Sequence, residues 1–101
     1  MQISNHTQVS NHFIDKIMPH VSGSATKVFN AIARKTIGWH KAIDRISQGQ
    51  LTEATGLSLN SLKKATQELL NIGIIIIERS GKGKSTRTNY EINYDNMSEI
   101  N

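Results

Sequence analysis

Residues 47–70, SQGQLTEATGLSLNSLKKATQELL, decide how the chain reads. They form two short helical stretches joined by a tight turn. Leu51 and Ala54 give the first an apolar edge. Gly56 stands where that helix must stop, because glycine enters the left-handed conformation without a Cβ clash. Leu57 then falls into the angle between the helices, and Ser58 can cap the second by accepting a backbone N–H. In the second helix Leu62, Ala65 and Leu69 recur at three- and four-residue spacing, so one face is buried. The other carries Asn60, Ser61, Lys63, Lys64 and Gln67, all hydrogen-bond donors. A buried stripe backed by a short, basic, donor-rich face is what a helix needs to lie in a DNA major groove. The stretch reads as a helix-turn-helix. The plainer alternative is two ordinary helices of a small bundle whose lysines solvate a surface.

Downstream residues favour the first reading. Asn71, Ile72 and Gly73 end the second helix, and residues 74–79, Ile-Ile-Ile-Ile-Glu-Arg, demand a strand, since β-branched residues in a row fit a pleated sheet better than a helix. A basic, glycine-rich tip follows, Ser80-Gly81-Lys82-Gly83-Lys84-Ser85-Thr86, and then a returning strand from Arg87 to Tyr94. Tyr90, Ile92 and Tyr94 share one face of it; Asn89, Glu91 and Asn93 share the other. Strand, basic loop and strand after a recognition helix make a winged helix. The expected fold is mainly α with a small β-hairpin, a winged helix-turn-helix. Four consecutive isoleucines cannot all face one core, so an outward pair needs a cover from the N-terminal helix, the C-terminal tail or a second copy packed on strand 74–77.

Upstream, Phe13, Ile14 and Ile17 share a helical face with Val9 ahead of it, and Pro19 ends that helix near Ile17 or Met18. Ser22 caps the next helix, which runs to about Thr36 and buries Ala25, Val28, Phe29, Ile32 and Ala33. Arg34 and Lys35 in its last turn complement the helix dipole, and Gly38 closes it. Trp39 reads as a lid over the core edge. Ile43 and Ile46 bracket a short strand. The domain is expected over residues 9–94, after a flexible stretch at 1–8 and before a polar tail at 95–101.

At 101 residues and 37% hydrophobic content the chain fits one soluble domain with a modest core. It has no cysteine, which excludes disulfides and thiolate metal sites and suits an intracellular, cytoplasmic setting. No apolar run nears the ~20 residues of a membrane span, so no membrane partner is expected. The net charge of +4 is unevenly placed: residues 59–89 carry six Lys and Arg against two Glu, a surplus equal to the whole. That bias points to a polyanion, with double-stranded DNA the natural partner. Lys82, Lys84 and Arg87 would lie against phosphates. Gly83-Lys84-Ser85 is not a phosphate-binding loop for nucleotides, because Glu78 stands where that motif needs glycine and a strand follows instead of a helix. His6, His12, His20 and His40 have no ligand spacing, and no paired acids or nucleophile motif suggest catalysis. The reading is a binding protein, not an enzyme, with no cofactor and no metal.

The chain resembles the N-terminal DNA-binding domain of bacteriophage replication protein O. Thr7-Gln8-Val9, Asn11 and Phe13-Ile14 carry the resemblance, as do Val21-Ser22-Gly23-Ser24 and Ala33-Arg34-Lys35-Thr36. So do Gly38-Trp39-His40-Lys41, Asp44-Arg45-Ile46-Ser47, Thr55-Gly56-Leu57-Ser58 and Gly73-Ile74-Ile75. It implies binding to repeated sequences in a phage replication origin, with a separate C-terminal part recruiting host replication proteins. It also implies that Asn60, Ser61, Lys63, Lys64 and Gln67 face base edges while Lys82, Lys84 and Arg87 grip backbone. Two departures stand out. Nothing after Tyr94 could form the recruiting part, so an excised domain or a narrower role is expected. Family members often carry arginines early in the recognition helix, where this chain has Leu59, Asn60 and Ser61; Asn60 and Gln67 suit adenine rather than guanine. A small phage transcription regulator and a protein–protein module on the same fold are the competing readings.

Overall fold

The computed structural model describes residues 6–39, 42–81 and 87–100, without the side chains of Trp39 and Arg87. Most of the flexible stretch expected at 1–8, the ring of Trp39 read as a lid, and Lys82 and Lys84 of the expected wing lie outside the described residues.

A π-helical turn, Phe13–Ile17, opens the fold and passes into a 3₁₀ turn, Met18–His20. Pro19 sits in the first turn of the latter, where its missing N–H costs no helical bond. Phe13 and Ile17 are buried, but Ile14 is 40% exposed and does not share their face as expected. Phe13 stacks on Phe29 with ring centroids 3.8 Å apart, pinning this turn to the first long helix.

That helix, α1 (Gly23–Lys35), is capped by Ser22, whose Oγ accepts the Ala25 N–H at 3.0 Å, and it buries Ala25, Val28, Phe29, Ile32 and Ala33 as read from the spacing. It does not end on Gly38. The chain leaves α1 at Thr36, whose buried hydroxyl donates to the Ile32 carbonyl at 2.8 Å, and tightens into a 3₁₀ turn, Ile37–Trp39. Gly38 lies inside that turn without a left-handed φ. A Cβ there would come within 2.7 Å of Thr7 Oγ1 and 3.0 Å of Arg34 Nη1, so a larger residue would have to displace these two side chains.

Strand β1 (Ile43–Arg45) leads into α2 (Gln48–Thr55), and a turn at Gly56, Leu57 and Ser58 leads into α3 (Leu59–Asn71). Strands β2 (Ile75–Ser80) and β3 (Arg87–Ile92) and a short helix α4 (Tyr94–Ser98) complete the order. The sheet runs β1-β3-β2, antiparallel throughout, and α1 packs against both α2 and α3. The fold is therefore mainly helical with a small three-stranded sheet.

Register decides which isoleucines are inside. Ile75 pairs with Ile92 and Ile77 with Tyr90, so these four side chains share the face turned to the core. Ile76 and Ile43 both stand opposite Glu91 on the other face. Ile74 precedes the strand and is fully buried. Only Ile76 of the four looks outward, so the outward pair expected from strict alternation does not form. The cause is the end of α3. Gly73 adopts φ +76°, its N–H reaches the Leu70 carbonyl at 3.0 Å, and the Ile74 N–H reaches Leu69 at 3.2 Å. This Schellman closure turns Ile74 back onto Leu69 before the pleat begins.

The segment read as a polar tail is partly core. Met97 of α4 is 2% exposed, and Ile100 packs against the core cluster. Tyr94 starts α4 and is exposed rather than continuing the Tyr90–Ile92 face. Asn96 Nδ2 donates to the Ile72 and Gly73 carbonyls at 3.3 and 2.9 Å, and His12 Nε2 lies 2.6 Å from the Ile100 carbonyl.

Candidate nucleic-acid interface

The α2–α3 pair is built by local chemistry. Ser47 and Gln50 form a capping box at the start of α2: the Gln50 N–H donates to Ser47 Oγ at 3.0 Å and the Ser47 N–H to Gln50 Oε1 at 2.9 Å. Leu51 and Thr55 are the buried residues of α2, and Ala54 is exposed, contrary to the expected apolar edge. Thr55 tolerates burial because its hydroxyl donates to the Leu51 carbonyl at 2.6 Å and accepts the Leu57 N–H at 3.2 Å. Gly56, at φ +74°, ends the helix as expected. Ser58 then caps α3 by accepting the Ser61 N–H at 3.2 Å.

In α3 the buried stripe is Leu62, Ala65 and Leu69. Successive residues turn by about 100°, which sets Asn60, Lys64 and Gln67 opposite that stripe and Lys63 on one flank. All four are exposed. Ser61 is different: it sits on the other flank, half-buried, with its Oγ accepting from Ser58 Oγ at 3.1 Å. Its backbone N–H and its hydroxyl oxygen both take part in the cap. Arg87 begins β3, with its side chain outside the described groups.

Three residues of α3 and β2 were not singled out from sequence. Asn71 accepts from Gln67 Nε2 at 2.8 Å, holding the Gln67 amide along the outward face; the four-residue spacing of two amides was the available signal. Glu68, counted only as a charge, reaches across to α1, where Oε2 accepts the Ser22 N–H at 2.8 Å and Oε1 the Ser22 hydroxyl at 2.7 Å. That fixes α3 against the N-terminus of α1, where a carboxylate also meets the positive end of the helix dipole. No sequence signal links residues so far apart. Arg79 is exposed, and β2 register puts it on the helix-side face of the sheet near Tyr90. Burial pushes the Tyr90 phenol above its ordinary value, and the Arg79 charge pulls part of the way back.

The exposed side of α3 thus offers two ammonium groups and the three amides of Asn60, Gln67 and Asn71. Such a set can pair with phosphate oxygens and with base edges. A model of the family described as Bacteriophage replication protein O matches residues 3–95. The chain belongs to the bacteriophage replication protein O family. Within that family it is 47% identical over 49 residues to Replication protein O of Escherichia phage lambda, an alignment covering 48% of this chain and 15% of the relative. It is 30% identical over 91 residues to Replication protein 15 of Enterobacteria phage phi80, covering 88% of this chain and 30% of the relative. The chain therefore spans less than a third of either relative's length. No solved structure matches it. No helix among the described residues is long and apolar enough to cross a membrane.

Proposed function

We propose that this chain is a sequence-specific double-stranded DNA-binding domain of winged helix-turn-helix type, acting at a phage replication origin. The carrying observation is the α3 face, where Asn60, Lys64 and Gln67 are exposed opposite Leu62, Ala65 and Leu69, with Lys63 exposed on the flank. The element order supports it: a helix, a short strand, two helices joined by a glycine turn, then an antiparallel strand pair whose connection carries Lys82 and Lys84. Family membership supports the replication role, since relatives bear the names Replication protein O and Replication protein 15.

In this reading α3 lies in the major groove. Asn60 and Gln67 present amides suited to adenine, and Lys63 and Lys64 meet phosphates. Lys82, Lys84 and Arg87 carry the backbone contacts of the wing, and Arg79 adds a cation at its base. The protein works by binding rather than catalysis, without cofactor or metal.

Selection of bound fragments from random duplex DNA, followed by titration at two salt concentrations, tests the proposal. With ~5 phosphates contacted, the log–log slope of affinity against salt should be near −4 to −5. A·T pairs should dominate the positions facing Asn60 and Gln67. A flat salt response, or no enriched sequence, would overturn it. An enriched site found once in a promoter rather than repeated in an origin would instead make the chain a transcription regulator.

A further inference from the structure

Away from α3, an open groove of about 430 Å³ lies between α1 and the last turn of α2. Lys27, Arg34 and Lys35 line it, together with Asn30, Ala31, Ala54 and Thr55, and no acidic side chain does. Charge counting along the chain hides this patch, because residues outside 59–89 balance to zero; the fold gathers three of their cations in one place. A cation near a helix C-terminus is often explained by the helix dipole. That covers Arg34 and Lys35 in the last turn of α1 but not Lys27, two turns earlier.

The floor and the position narrow the ligand. Both hydrogen-bonding roles of the Thr55 hydroxyl are taken, by the Leu51 carbonyl and the Leu57 N–H, so this floor residue offers no donor to a phosphate. The Asn30 amide stands on the rim with the cations, Ala31 and Ala54 add only methyl groups, and the lysine stems extend the apolar surface. A cationic rim over an apolar floor fits carboxylates flanking an aliphatic side chain better than a phosphodiester backbone. The groove is also separate from the outward face of α3, since none of its lining residues belongs to that helix. Helix α1 turns Ala25, Val28, Phe29, Ile32 and Ala33 toward its neighbours, so the side bearing Lys27, Ala31 and Arg34 looks away from α3.

We propose that the α1–α2 groove docks an acidic protein segment carrying one aliphatic anchor between carboxylates. Docking there leaves the outward face of α3 open.

Titration of the ¹⁵N-labelled 101-residue chain with a glutamate-rich peptide of about ten residues holding one central leucine tests this directly. Amide shifts should cluster at Lys27, Ala31, Arg34, Lys35 and Ala54. Replacing the peptide's leucine by serine should weaken binding roughly tenfold. Lys27→Glu with Lys35→Glu should weaken it roughly fivefold or more, leaving affinity for duplex DNA within about twofold. Shifts at Lys63 and Lys64 instead, or none up to millimolar peptide, would overturn the proposal. So would groove shifts produced more readily by random-sequence duplex DNA than by the peptide, since nucleic acid would then be the ligand. If the double variant fails to give a folded spectrum, the comparison of leucine and serine peptides on the unmodified chain decides alone.

Discussion

At the scale of single residues, neighbouring side chains on α3 have different tasks. Lys63 and Lys64 are exposed point charges, and on the proposed reading each neutralises about one phosphate. Lys63→Ala or Lys64→Ala should weaken binding of all duplexes about equally and reduce the salt slope by about 1 each, as read by affinity titrations at several salt concentrations. Gln67→Ala should act on sequence instead. It should lower the preference for adenine at one position by about 1–3 kcal/mol, seen by comparing the selected site with a single-base variant. Tyr90 gives a prediction independent of DNA. Burial raises its pKa above the ordinary 10.0, so the folded state favours the neutral phenol. Its contribution to stability is complete below pH 10 and is lost as pH rises through the elevated folded value. Thermal melts from neutral to strongly alkaline pH should show Tyr90→Phe declining less steeply than the unmodified protein above pH 10.

At the scale of elements, the helix ends set the geometry of the candidate interface. The glycine between α3 and β2 holds φ +76°, and a side chain there would collide with the Asn96 amide that caps the same turn. Gly73→Ala should cost about 1–2 kcal/mol from the left-handed backbone alone, with further loss from displacing Asn96. Gly49 in α2 is the contrast. Its φ is ordinary and a Cβ there meets only Ser47 Oγ at 3.8 Å. Gly49→Ala should therefore gain roughly 0.5–1 kcal/mol of stability. Urea denaturation of both variants checks the pair of opposite signs. Equal effects would mean that conformational freedom, rather than the built turn, governs both positions.

At the scale of the whole molecule, the two ends of the described chain close on one core. Phe13 stacks on Phe29, His12 holds the Ile100 carbonyl, and Met97 is buried in the core cluster next to Asn96, which caps the end of α3. Met97→Ala should cost about 2–5 kcal/mol, read by chemical denaturation, a loss that a freely solvated tail residue would not produce. Much of this architecture was legible beforehand. The buried sets of α1 and α3, the serine caps at Ser22 and Ser58, and the Gly56 turn all came from three- and four-residue spacing and from short-range hydrogen-bonding chemistry. Three of the departures share a cause. Ile14, Ala54 and Tyr94 were placed by extrapolating a regular period, and each lies where the period breaks: in a π-turn, in a last helical turn, and after a strand has ended.

What the sequence determined alone is therefore local: helix faces, caps, stops, and the charge surplus of residues 59–89. These depend on interactions within about one helical turn or one strand repeat, which the order of residues specifies directly. The tertiary structure alone decided that Glu68 grips Ser22, that one isoleucine of four faces outward, that Met97 is core, and that Lys27, Arg34 and Lys35 line one groove. Each depends on elements distant in the chain meeting in space, and only packing sets which of them meet.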